Sequence, residues 1–182
     1  HHHHHHHHLH KNNNNHNNII IINSKNNNTP TTAVSSNGSI VGIPGSDIDA
    51  ERAWDITTGS PDIIIAILDT GIDLDHPDLQ SGLVSGYNFV NNTTNANDAN
   101  FHGTACASIA AGRTNNLTGV SGVCWDCSLM PVKVLADDGF GDINDIVNGV
   151  VWASDNGAHV ISMSLGGGGF SRVAVSYTHL TL

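Results

Sequence analysis

Positive charge is scarce in this chain. Lys and Arg number 6 against 16 Asp and Glu, giving a formal charge of −10 over 182 residues with His neutral. So few cations leave little to hold a phosphate backbone, so nucleic acid is not an expected partner. Acidic groups suit Ca²⁺ instead, a hard cation that takes oxygen ligands. Long apolar runs are missing as well. Ile19 to Ile22 is far too short to cross a bilayer, and no charged, apolar and small-residue leader precedes the domain, so no membrane partner is expected. Cysteine is also sparse. There are three, Cys106, Cys124 and Cys127, and an odd count leaves at least one thiol free if the other two pair.

Residues 1–41 are mostly His, Asn, Thr and Ser. Such a head cannot bury enough apolar area to offset chain entropy, so it is expected to be disordered, or an artefact such as a purification tag. The leading histidine tract could bind metal, but it carries no part of the enzymatic reading.

From about Gly42 onward the pattern changes. Ala50 to Ile56 reads as a short helix closed by Thr57-Thr58-Gly59-Ser60-Pro61. Asp62 to Leu68 is a continuous apolar run between turn residues, the pattern of a strand buried on both faces. Gly86 to Val90 suggests a short strand, and the Asn- and Asp-rich stretch Asn91 to Asn100 reads as surface loop. His102 to Ala111 is small and apolar, with Gly112 behind it as a C-terminal glycine cap. Leu129 to Leu135 is a second buried strand. Asp142 then stands as an N-cap before Ile143, Ile146, Val147 and Val150 at helical spacing, and Gly157 closes that helix. Val160 to Ser164 is a third strand, running into a glycine stretch. Alternating strands and helices predict an α/β domain with a largely parallel sheet. Right-handed crossovers would bring Asp69 and Ser164 to one sheet edge.

Two polar residues sit where chemistry needs them. Asp69 ends the run Ile63-Ile64-Ile65-Ala66-Ile67-Leu68, and His102 opens a helix. A histidine can take the proton of an attacking hydroxyl, and a buried carboxylate can hold the imidazole in the right tautomer. The dipole at a helix start disfavours a cationic imidazole, and the carboxylate would offset this.

Three segments carry a family resemblance: Ala66-Ile67-Leu68-Asp69-Thr70-Gly71-Ile72-Asp73 followed by His76-Pro77-Asp78-Leu79, then His102-Gly103-Thr104-Ala105-Cys106-Ala107, then Met163-Ser164-Leu165-Gly166-Gly167. In this order they resemble the subtilisin-like serine proteases, the subtilase family (peptidase S8). The resemblance implies an α/β fold with a largely parallel sheet and helices on both faces, here incomplete at the C-terminus. It implies serine endopeptidase chemistry on polypeptide substrates, with Asp69 orienting and His102 as general base. Gly139, Phe140 and Gly141 would form one backbone edge for substrate, and Ser164, Leu165 and Gly166 the other, gripping an extended peptide by strand addition. Main-chain bonding predicts broad specificity. Asp78 and Asn116 would share a structural Ca²⁺. The family also implies an extracellular or periplasmic location. Cys106, one helical turn after His102, would lie beneath the imidazole, and some subtilases with a cysteine there are sensitive to thiol reagents. Cys124 and Cys127 are candidates for a local disulfide, since a lone C-x-x-C before a strand is half a zinc site at most.

The sequence also departs from the family. The nucleophile motif Gly-Thr-Ser-Met-Ala is not among these residues, and neither Ser164 nor Ser171 stands in it. Inactivity, poor folding and aggregation are therefore expected of the chain alone. The stretch 42–174 is expected to be a partial catalytic domain. Val175 to Leu182 resembles translated adaptor DNA rather than native protein. The alternative reading is a non-catalytic peptide-binding module of the same fold.

Overall fold

The computed structural model describes residues 48–166 and the backbone of three short strands before them. Those strands are β1 (Ile20–Asn23), β2 (Ala33–Val34) and β3 (Ile40–Val41), followed by α1 (Ala50–Trp54) and β4 (Ile64–Asp69). A 3₁₀ turn at Gln80–Gly82 leads to β5 (Tyr87–Asn88) and α2 (His102–Ala111). Then come β6 (Ser128–Lys133), α3 (Ile143–Asp155) and β7 (Val160–Met163). The rest of the head expected over 1–41, and the tail expected over 175–182, lie outside the described residues.

One sheet has the order β1-β7-β4-β6-β5, with every neighbouring pair parallel. β2 and β3 form a separate antiparallel pair. Because successive strand residues face opposite sides, β4 feeds two apolar layers. Ala66 and Leu68 join Met130, Val132, Val134, Ala153 and Ile161 beneath α3. Ile65 and Ile67 join Ile72, Leu79, Ala107, Ala111 and Leu129 beneath α2. Helices thus cover both faces, as the α/β reading required.

Strand ends follow pairing rather than composition. Ile63 donates its N–H to the Ser60 carbonyl at 3.0 Å and so stays in a turn. The ladder starts at Ile64 opposite Ser128 and runs through Asp69 opposite Lys133. Asp69 is therefore the last residue of the strand itself.

The helix ends obey local chemistry. Asp142 caps α3 by accepting from the Asn144 N–H at 2.7 Å. At the other end Gly157 takes φ +89, with Gly157 N–H bonded to Ser154 and Ala158 N–H to Ala153. That is the paired closure a left-handed glycine permits. Gly112 behaves differently from the expected left-handed glycine cap. It ends α2 at φ −57 and ψ 137, an extended geometry. Its lack of a side chain serves space: a Cβ there would lie 2.7 Å from the Ser108 carbonyl oxygen and 2.8 Å from that of Val120.

Candidate active site

β4 delivers Asp69 to the sheet edge with 1 % of its surface exposed. The next chain crossing places α2 so that its first residue faces that carboxylate. His102 Nδ1 lies 2.7 Å from Asp69 Oδ1, and the imidazole is half-exposed. This closeness depends on Gly103. A Cβ at that position would sit 2.1 Å from the Gly71 carbonyl oxygen and 3.1 Å from Asp69 Cβ. Any side chain at 103 would hold the helix start away from the strand end.

The tautomer follows from the partners. A carboxylate only accepts, so the shared proton belongs to Nδ1, and the lone pair of Nε2 is left on the other side of the ring. Asp69 Oδ1 also accepts from the Thr70 N–H at 2.7 Å. Among the described residues Asp69 Oδ2 has no hydrogen-bond partner, although it is buried. Cys106 Sγ lies 4.0 Å from His102 Nδ1, beneath the ring as its spacing implied. Burial pushes the Cys106 thiol up, and the nearby Asp69 and Asp98 charges add to this, against a hydrogen bond to Ser164.

The two glycine-bearing segments reach the same edge. Ser164 follows β7, whose Ser162 pairs with Ile67, so Ser164 comes level with Asp69. It lies within hydrogen-bonding reach of the Cys106 thiol. Leu165 packs against the core layer under α3, and Gly166 is exposed. Gly139, Phe140 and Gly141 lie on the other side, in a turn after β6. The Gly139 N–H bonds the Ala136 carbonyl, the Phe140 N–H bonds Asp138, and the Phe140 carbonyl accepts from Ala136. Those three groups are used inside the turn, while the Phe140 ring is exposed.

Two residues that the sequence did not single out hold this turn. Lys133 is buried, and its ammonium donates to the Thr70 carbonyl and to Asp137 Oδ1, the latter at 2.8 Å. Asn100 donates from Nδ2 to the Asp137 carbonyl at 2.8 Å. The residue types gave no warning, because Lys133 sits inside a strand and Asn100 inside an asparagine-rich stretch.

Asp78 and Asn116 meet elsewhere, beside the C-terminal end of α2. Asp78 is fully buried; its Oδ1 accepts from Asn116 Nδ2 at 2.6 Å and its Oδ2 from the Val120 N–H at 3.1 Å. Among the described residues no cation pairs with this carboxylate. The third expected pair is also joined: Cys124 and Cys127 form a disulfide with Cα atoms 5.5 Å apart, and Cys106 is free.

Comparison with known proteins decides the family. The subtilase family (Peptidase_S8) matches residues 60–180. This chain belongs to it. Thermitase of Thermoactinomyces vulgaris is 48 % identical over 120 residues, covering 66 % of this chain and 43 % of thermitase. A thermophilic serine proteinase of Bacillus sp. (strain AK1) is 45 % identical over 116 residues, covering 64 % of this chain and 29 % of the proteinase. An extracellular protease of Xanthomonas campestris pv. campestris is 34 % identical over 166 residues, covering 70 % of this chain and 28 % of that protein. The chain thus spans less than half the length of each of these relatives.

On this subtilase domain, the described residues include no helix long and apolar enough to cross a membrane. The Cys124–Cys127 bridge packs against Gly59, and Trp125 packs against Trp54 at 4.9 Å between ring centroids, the rings tilted by 51°. The loop before β6 thus meets α1 through Trp54, whose Nε1 donates to the Val123 carbonyl at 2.8 Å, and meets the turn after α1 through its disulfide.

Proposed function

We propose that Asp69 and His102 are the orienting acid and general base of a serine endopeptidase acting on polypeptides. The observation that carries this is the 2.7 Å contact between a buried carboxylate and a half-exposed imidazole. In that geometry Nε2 takes the proton of a serine hydroxyl as it attacks a peptide carbonyl, then returns it to the leaving amine. Asp69 keeps the proton on Nδ1 and stabilises the imidazolium. Gly139, Phe140 and Gly141 on one side and Ser164, Leu165 and Gly166 on the other flank an extended substrate, whose main chain supplies most of the contact. Substrate selection by side chain is correspondingly broad.

The serine motif is not among the 182 residues, so this chain alone is inert. The decisive test is a chimera in which residues 48–166 replace the aligned segment of thermitase. Casein hydrolysis by the chimera is expected. His102→Ala should then lower kcat about a millionfold, the size known for subtilisin itself, and Asp69→Asn about ten-thousandfold. A chimera that folds and binds peptide but keeps its rate in both variants would overturn the reading. A chimera that folds and binds peptide but hydrolyses no casein would favour the peptide-binding module, which needs neither residue.

The Asp78 site fits a structural Ca²⁺. A fully buried carboxylate that accepts from neutral N–H groups gains from a cation beside it. Asp78 would hold the ion and the ion would supply positive charge; Asn116, whose side-chain oxygen accepts from the Thr118 N–H at 3.0 Å, would join it by turning that amide. A secreted location is supported by the disulfide, which persists in oxidising compartments.

A further inference from the structure

Asp98 falls in the stretch that reads as surface loop, yet its carboxylate gathers five hydrogen bonds. Oδ1 accepts from the Thr70 hydroxyl at 2.9 Å, the Asn100 N–H at 2.9 Å and the Phe101 N–H at 3.2 Å. Oδ2 accepts from the Thr104 hydroxyl at 2.6 Å and the Thr104 N–H at 3.0 Å. We propose that Asp98 is a positioning residue that fixes the strand end bearing Asp69 against the helix start bearing His102. The inference rests on reading that pair as the orienting acid and base.

The two members of the pair lie on separate elements, so something must set their separation. Thr70 touches every part. Its N–H donates to Asp69 Oδ1 at 2.7 Å, and its hydroxyl oxygen accepts from the Gly103 N–H at 3.0 Å. A hydroxyl has one proton, and Asp98 takes it. The lone pairs of Thr70 are then turned toward Gly103, the residue after His102. Without the carboxylate that proton is free to rotate and compete for the same space.

The helix start needs Asp98 for a second reason. Phe101 occupies the N-cap with φ +96 and makes no side-chain cap bond. A phenylalanine in that backbone region is strained, and its side chain has no oxygen to offer the first helical N–H groups. Asp98 supplies the oxygen from outside the helix, bonding the N–H of Phe101 and of Thr104. The Thr104 hydroxyl in turn accepts from the Asp73 N–H at 2.9 Å, tying the chain beyond Asp69 to the same clasp. Burial opposes the charge on Asp98, but the bonds from Thr104, Asn100 and Thr70 outweigh it, and its carboxyl is held below its ordinary value. The acceptor is thus an anion at the positive end of a helix.

Because the 182-residue chain alone is expected to aggregate, the test is solution NMR of the thermitase chimera labelled with ¹⁵N-histidine. The Nδ1 proton shared with Asp69 gives a low-field resonance, assigned by its loss in His102→Gln. In Asp98→Ala and in Thr70→Val, this proton is expected to exchange with water at least about tenfold faster while the Leu68 and Val132 methyl signals stay in place. If Asp98→Ala fails to fold, Asp98→Asn carries the comparison, with a smaller change in the same direction. A folded Asp98 variant whose His102 proton exchanges within about twofold of the parent overturns the proposal, even if its melting temperature falls. Absence of the low-field resonance in a folded parent overturns both this inference and the reading of the pair beneath it.

Discussion

Gly103 is where one atom decides the site. An added Cβ would stand 2.1 Å from the Gly71 carbonyl oxygen, so strand end and helix start must part by more than an ångström. Gly103→Ala is expected to destabilise the domain by about 1–3 kcal/mol through overpacking, measured by urea unfolding. In the thermitase chimera it should lower kcat/KM by about a hundredfold, because an ångström of misplacement in a reacting constellation has that effect. Asp98 gives a prediction with a definite sign. Its folded carboxyl lies below the ordinary value of 3.8. Its contribution is therefore fully present above that value and is lost as pH falls through the lowered folded value. Acid unfolding followed by fluorescence below about pH 4 should be steeper in the parent than in Asp98→Asn.

At the scale of elements, both longer helices follow their local signals. His102–Ala111 and Ile143–Asp155 have the starts that the sequence marks, and α3 closes on Gly157. Asp142→Ala removes a cap bond and is expected to cost about 1 kcal/mol, read from the urea midpoint with an unchanged slope. Strands were legible in type but not in extent. The run beginning at Asp62 promised an earlier start for β4, but Asp62 and Ile63 remain in the turn because Ser128 pairs first with Ile64. Strand limits belong to the partner strand, which a single sequence does not show. Gly112 makes the same point at a helix end. Its local signal was a glycine cap, but it takes an extended geometry, and the neighbouring Val120 carbonyl leaves no room there for a side chain.

For the molecule as a whole, the question is how the buried carboxylate at Asp78 is compensated. Compensation by Ca²⁺ predicts a melting temperature several degrees higher with millimolar Ca²⁺ than with chelator, since a ligand bound only by the native state stabilises it by mass action. Asp78→Asn should abolish the difference. Equal melting temperatures in the parent would remove calcium from the account.

Much of this architecture is determined by residue order alone. Unbroken apolar runs specify strands covered on both faces, and Asp142 and Gly157 mark their helix by chemistry within a few residues of chain. Asp69 and His102 are legible because each stands at the junction of such elements. Tertiary structure alone decided which polar groups around them converge. Asp98, Lys133 and Asn100 lie in stretches that look like ordinary loop or strand, and their roles arise from partners 2 to 63 positions away. The reason is physical: a hydrogen bond needs two groups within about 3 Å. Only the packing of α2 onto the end of β4, permitted by a bare Cα at Gly103, brings them that close.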